Sequence, residues 1–215
     1  MTAKVKICGL STPDSVEAAV AAGAAMVGFV FFPVSPRAIT VAEAAALTAT
    51  VPDGIKRVAL SVDADDALLG EITAGAGVDM MQLHGAETPA RVADVRAKFG
   101  LPVMKVISIA SLDDVARAHS YAPVADVLMF DAKPPKDATR PGGNAVAFDW
   151  NLIAGETWEK PWVLAGGLTP ENVTEAVRVS GAVSVDVSTG VEDAPGIKNA
   201  DKIQRFITAA RAETG

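Results

Sequence analysis

The chain has 215 residues, half of them apolar and 21% charged, a balance that provides for a packed core and excludes a disordered polymer. Nineteen lysines and arginines against 26 aspartates and glutamates give a net charge of −7, which opposes phosphate backbones and anionic membranes and speaks against nucleic acid or a membrane as partner. One cysteine excludes an internal disulfide and suits a reducing cytoplasm. No basic-then-apolar leader opens the sequence and turn or charged residues interrupt every apolar stretch, so a soluble cytoplasmic protein is expected.

The first apolar run starts near Val5 and ends at Cys8-Gly9, in "KICGL". Thr12-Pro13 then sets a capping hydroxyl before a proline at the first helical position. A second run, from Met26, ends in "FFPVSPR" with Arg37. Thr40 and Glu43 have capping-box spacing ahead of the alanine-rich "VAEAAALTA". A third run starts at Lys56, and a fourth, at Asp79, ends in "QLHG" with Gln82 and His84. Thr88-Pro89 opens the helical stretch "ARVADVRAKF". Runs from Pro102 and Asp126 follow, with Ser111 opening "SLDDVARA" between them and Asp114 near the positive end of that helix. The Asp126 run closes on Asp131 and leads into the longest connection, "AKPPKDATRPGGNAVA", which reads equally as a lid or as a long surface loop. The runs from Trp162 and Val183 end in "LAGGLTPENV", where Thr169-Pro170 repeats the helix-start signal, and in "DVSTG", Asp186 to Gly190.

Eight runs spaced 21 to 36 residues apart each leave room for one strand, one helix and two loops, but not for a separate domain. The expected fold class is α/β: a single-domain (β/α)8 TIM barrel with a parallel eight-stranded core, spanning residues 1–215. A doubly wound open sheet competes, but the first turn, "CGLSTPDS", lacks the G-x-G-x-x-G nucleotide fingerprint. A barrel gathers its chemistry at the C-terminal ends of its strands. Cys8, Arg37, Gln82, His84, Asp131, Gly166-Gly167 and the Asp186–Gly190 segment all fall there.

Strand alternation puts Val5 and Ile7 on one face and Lys4, Lys6 and Cys8 on the other. In the sixth run Val127, Met129 and Asp131 share a face opposite Leu128 and Phe130. If the Val5/Ile7 and Leu128/Phe130 faces meet the helices, Cys8 and Asp131 look into one barrel mouth. Lys6 then lies inward below Cys8, where a cation favours the thiolate. Each residue also has a plainer reading, Cys8 as a buried structural thiol and Asp131 as an ion-paired carboxylate. The two late glycine loops can cradle an anion with backbone N–H groups, and a phosphate held after strands seven and eight is a recurrent barrel arrangement. Arg37 has the planar fork that grips a carboxylate. Neither His84 nor His119 forms a metal-ligand spacing with the single cysteine, and Trp150, Trp158 and Trp162 read as packing residues.

Taken together, "KICGL", "GFVFFPVSPR", "MQLHG", "MFDA", "GGNAVAFDW", "LAGGLTPENV" and "DVSTGVED" resemble, in that order and nearly end to end, the phosphoribosylanthranilate isomerase family of tryptophan biosynthesis. The resemblance implies an Amadori rearrangement of a small phosphorylated substrate, without metal or cofactor; the sequence is compatible with a monomer or homodimer. It implies that Asp131 is the general acid that opens the furanose ring and Cys8 the general base that removes the C2′ proton. By the same resemblance Arg37 holds the anthranilate carboxylate, and Asp186 meets a sugar hydroxyl. Gln82 and His84 complete the substrate site, and Gly142, Gly143, Gly166, Gly167, Ser188, Thr189 and Gly190 hold the phosphate. The chain departs from the family pattern in three places: "GGNA" at Asn144-Ala145, Thr189 in the phosphate loop, and Asn199 at the last helix start, where asparagine still caps. The related isomerase of histidine biosynthesis usually has an aspartate where this chain has Cys8. Indole-glycerol-phosphate synthase generally needs an N-terminal extension and a catalytic lysine. A non-catalytic phosphosugar-binding barrel is the alternative from another class.

Overall fold

The computed structural model describes residues 2–133, 142 and 147–212. Eight parallel strands close into a barrel: β1 (Lys4–Cys8), β2 (Met26–Phe31), β3 (Lys56–Ser61), β4 (Met80–Leu83), β5 (Val103–Ile109), β6 (Val127–Ala132), β7 (Trp162–Leu164) and β8 (Ser184–Val187). Each starts within one residue of an apolar run, because a parallel barrel strand is buried on both faces and announces itself as continuous apolar sequence. Closure comes from β8 pairing with β1, with Lys6 opposite Asp186.

Around the barrel run α1 (Pro13–Ala21), α2 (Val41–Thr48), α3 (Asp66–Gly75), α4 (Pro89–Phe99), α5 (Leu112–His119), α6 (Val173–Ser180) and α7 (Ala200–Ala210). The side chains of Thr12, Thr40, Asp65, Thr88, Ser111 and Asn199 each accept a hydrogen bond from an amide in the first turn of the helix that follows, so these starts are fixed locally by orphan amides finding a partner.

Two expectations need correction. Thr169 does not cap α6, which begins at Val173. The Thr169 hydroxyl accepts from Glu171 N (3.2 Å) and its N–H donates to Asn172 Oδ1 (2.8 Å), while Asn172 Nδ2 reaches back to Gly167 O (3.0 Å). The chain is still turning around the barrel rim here, through positive φ at Gly166 and Gly167, and the helix starts only once that turn is complete. The second correction concerns helix number: among the described residues seven α-helices surround the eight strands, and β6 is followed by one 3-10 turn, Trp150–Leu152. Asp149 caps that turn and Gly155, at φ +75°, leaves the helical region, so too few residues lie between the two stops for an α-helix. Positions 134–141 and 143–146 of the long connection after β6, which reads as a lid or as a long surface loop, Gly143 among them, lie outside the described residues.

An antiparallel hairpin not foreseen from the sequence, β9 (Glu192–Ala194) and β10 (Ile197–Lys198), follows β8 and sets Lys198 opposite Glu192. The core has two layers, as strand alternation requires. Val5, Ile7, Leu128 and Phe130 meet helix residues such as Val16, Leu69, Val92 and Phe206, and Met104, Val106, Met129, Val163 and Ala165 fill the barrel interior. Trp158 and Trp162 pack on Phe130 at ring-centroid distances of 4.4 and 5.5 Å.

Candidate active site

One cavity opens at the C-terminal ends of the strands. Its lining includes Cys8, Arg37, Gln82, His84, Asp131, Gly142, Gly166, Gly167, Asp186, Ser188, Thr189 and Gly190. Every site residue expected from the sequence and lying among the described residues therefore faces the same space.

Cys8 ends β1 beside Val30 and Leu60 and is buried and unpaired. Lys6, two residues earlier on the same face, is fully buried and donates to Asp186 Oδ1 at 2.8 Å. Opposite them on β2 stands Gly28, where a Cβ would come 2.9 Å from Lys6 Nζ and 3.0 Å from Cys8 Sγ. Any side chain there would displace one of the two heads. Burial pushes the Cys8 thiol above its ordinary value, and the Lys6 ammonium pulls it back only in part, with Asp186 opposing. Lys6 favours the thiolate, as its place below Cys8 on the same strand face leads one to expect, but desolvation outweighs the cation. Lys6 keeps its proton: burial works against the charged form, but the Asp186 carboxylate and Cys8 together raise its pKa.

Asp131 enters from β6 and anchors Oδ1 on the N–H of Ala132 at 2.8 Å. Its Oδ2 lies 3.2 Å from His84 Nε2, a close approach without hydrogen-bond alignment. Gln82, at the end of β4, turns inward with Nε2 3.5 Å from Met129 Sδ, and its Oε1 is buried without a partner among the described residues. The loop that carries His84 is held from behind. Lys105 Nζ donates to Gly85 O and Glu87 Oε2, each at 2.7 Å, and Glu87 accepts the amides of Asp63 and Gly85.

The loops after β7 and β8 meet at Gly190, where a Cβ would lie 2.0 Å from Leu168 O. Only glycine lets the two backbones come so close, and that contact joins Gly166-Gly167 and Ser188–Gly190 into one polar wall. Arg37 is less free than a loop arginine. Its Nε and Nη2 each donate at 2.6 Å to Glu192, and Nη2 also reaches Thr189 Oγ1 at 3.3 Å. Glu192 is shared with Lys198, whose Nζ donates to Glu192 Oε1 at 2.7 Å and to Ser188 O and Oγ at 3.0 and 3.2 Å. Burial pushes the Glu192 carboxyl up, yet Arg37 and Lys198 hold it below the ordinary value; burial leaves Lys198 below its own despite Glu192.

Sequence reasoning did not single out Glu192, Lys198, Lys105 or Glu87. For the first two a signal exists: "EDAPGIK" carries a Pro-Gly turn between short segments, and a hairpin there sets residues 192 and 198 face to face. Nothing comparable marks Lys105 and Glu87, whose meeting depends on the packing of β5 behind the loop after β4.

Residues 5–209 match the family model described as N-(5′-phosphoribosyl)anthranilate (PRA) isomerase. An N-(5′-phosphoribosyl)anthranilate isomerase from Paracoccus denitrificans is 57% identical over 212 residues, covering 99% of each chain. Among solved structures, phosphoribosyl anthranilate isomerase from Thermotoga maritima superposes with a TM-score of 0.87 at 32% identity, covering 97% of this chain and 98% of that one. A structure of the same enzyme type in complex with reduced 1-(o-carboxyphenylamino)-1-deoxyribulose 5-phosphate gives a TM-score of 0.82 at 30% identity, covering 97% and 98%.

Proposed function

The chain belongs to the N-(5′-phosphoribosyl)anthranilate isomerase family, and we propose that Asp131 and Cys8 are the acid and base with which it performs the reaction. It is an isomerase of tryptophan biosynthesis. It converts N-(5-phosphoribosyl)anthranilate to 1-(2-carboxyphenylamino)-1-deoxyribulose 5-phosphate by an Amadori rearrangement.

The observation that carries the assignment is the delivery of one carboxyl and one thiol to the same cavity from the non-adjacent strands β6 and β1. Asp131 gives its proton to the furanose ring oxygen, and the C1′–O bond opens to an iminium ion. The positive nitrogen acidifies C2′–H. Cys8 takes that proton, and the electron pair moves to form the enolamine, which tautomerises to the ketone. A thiol raised by burial is scarce as thiolate at neutral pH, but once formed it is the stronger base, and the iminium ion lowers the demand on it. The Lys6 ammonium beside it offsets part of the cost of the buried negative charge.

Arg37, clamped on two of its nitrogens by Glu192, offers Nη1 to the anthranilate carboxylate, since that nitrogen makes no hydrogen bond among the described residues. The phosphate rests against Gly166, Gly167, Ser188, Thr189 and Gly190, and Gly142, beside His84 and Asp131, lines the same cavity. Asp186, one oxygen taken by Lys6, meets a sugar hydroxyl with the other, and Gln82 and His84 line the space between. No helix among the described residues is long and apolar enough to cross a membrane. Catalysis by a free thiol suits a reducing compartment such as the cytoplasm. Because each assigned residue comes from one chain, the reading holds for a monomer or a homodimer.

The test is the loss of substrate fluorescence when freshly made phosphoribosylanthranilate is mixed with wild type, Cys8→Ala or Asp131→Ala. Rapid loss with wild type alone supports both assignments. Near-normal turnover by either folded variant removes the role given to that residue.

A further inference from the structure

We propose that Glu192 and Lys198 are positioning residues that tie the carboxylate-holding end of the cavity to its phosphate-holding end, a proposal that rests on the reading of Arg37 and Ser188–Gly190 given above. Both lie on the β9–β10 hairpin, which forms no part of the barrel, and both side chains are 2% exposed. Glu192 Oε1 accepts from Arg37 Nε at 2.6 Å and from Lys198 Nζ at 2.7 Å, and Oε2 accepts from Arg37 Nη2 at 2.6 Å. One carboxylate therefore fixes the guanidinium and, through Lys198, the carbonyl and hydroxyl of Ser188. The hairpin is itself seated on the Arg37 loop. A Cβ at Gly196 would come 2.7 Å from Pro36 O, and Gly196 N donates to Glu192 Oε2 at 3.3 Å.

Stability alone is a weak reason for this cluster. Two cations and one carboxylate are removed from water, and an apolar set of similar volume commonly serves a fold as well or better. The cluster provides geometry and charge instead. Arg37 loses its rotamer freedom before substrate arrives, so the ordering cost is not met at binding. Two cations against one carboxylate leave an excess positive charge beside the cavity of a chain whose net charge is −7, where a dianionic phosphate and a carboxylate must both be accepted.

The experiment measures the competitive inhibition constants of inorganic phosphate and of anthranilate separately, with kcat and KM, in wild type, Arg37→Ala, Glu192→Gln and Lys198→Met. Glu192→Gln is expected to raise both constants by roughly tenfold, the scale of one hydrogen bond to a charged group. Lys198→Met is expected to raise the phosphate constant and KM to a similar degree, with kcat and the anthranilate constant essentially unchanged. A structural role alone would lower the melting temperature without that split. If Glu192→Gln raises one constant or neither, the bridge does not exist. Should that variant fail to fold, an unchanged phosphate constant in folded Lys198→Met overturns the proposal by itself. An unchanged anthranilate constant in Arg37→Ala would instead remove the reading of Arg37, and the bridge with it.

Discussion

Lys6 Nζ donates a 2.8 Å hydrogen bond to Asp186 Oδ1 with no exposure to solvent, one inward step below Cys8 on β1. That ion pair sits in the floor of the active-site mouth, and of its two members it is the ammonium that favours the Cys8 thiolate. Removing the cation as Lys6→Met is expected to push the Cys8 thiol still higher. Activity needs the deprotonated base, so the rate rises with pH through the thiol pKa, and the rising limb of kcat against pH moves to higher pH in the variant. At neutral pH kcat falls. The pH dependence of alkylation of Cys8 by iodoacetamide reads the same ionisation without turnover. An unmoved limb in both measurements would detach Lys6 from the base.

Asp131→Asn keeps the shape of the carboxyl but cannot give up a proton, and Cys8→Ala leaves no base. Each is expected to lower kcat by about 10²- to 10⁴-fold, with KM changed less and the far-ultraviolet circular dichroism preserved. Stopped-flow fluorescence of substrate consumption provides the measurement. A variant whose KM changes while kcat holds would belong to binding and not to proton transfer.

Gly190→Ala tests the joint between the last two phosphate loops. The added methyl would stand 2.0 Å from Leu168 O, so one backbone must retreat, at a cost of about 1–3 kcal/mol as in other overpacked sites. Stability to urea is expected to fall by that amount. KM is expected to rise more than kcat falls, since the displaced groups are those assigned to the phosphate.

Lys105 and Glu87 form a buried pair behind the loop that carries His84, with side chains 3% and 4% exposed. Lys105→Met leaves the Glu87 carboxylate without its cation and is expected to cost about 3–5 kcal/mol of stability. The double variant Lys105→Met/Glu87→Leu is expected to regain much of it, because no uncompensated buried charge remains. Urea denaturation of the three proteins measures both effects.

Much of this protein is written locally. Parallel barrel strands are buried on both faces, so all eight appear as apolar runs, and six helix starts follow from capping side chains three residues from the amides they satisfy. The positions of Cys8 and Asp131 at strand ends, and their inward direction, follow from the two-residue period of a strand once the fold is set. Where local signals meet a tertiary demand, the demand wins: Thr169-Pro170 has the form of a cap, yet the chain is still rounding the rim there and α6 waits for Val173. Tertiary structure also decided the electrostatics. Whether Lys6 makes a thiolate of Cys8 depends on the balance between a cation and desolvation, and full burial settles it against the thiolate. Arg37 reads as a lone loop arginine until the hairpin after β8 brings Glu192 to it across 155 positions of sequence. Period and capping are short-range and legible in the sequence, whereas burial and long-range ion pairing exist only after the barrel has closed.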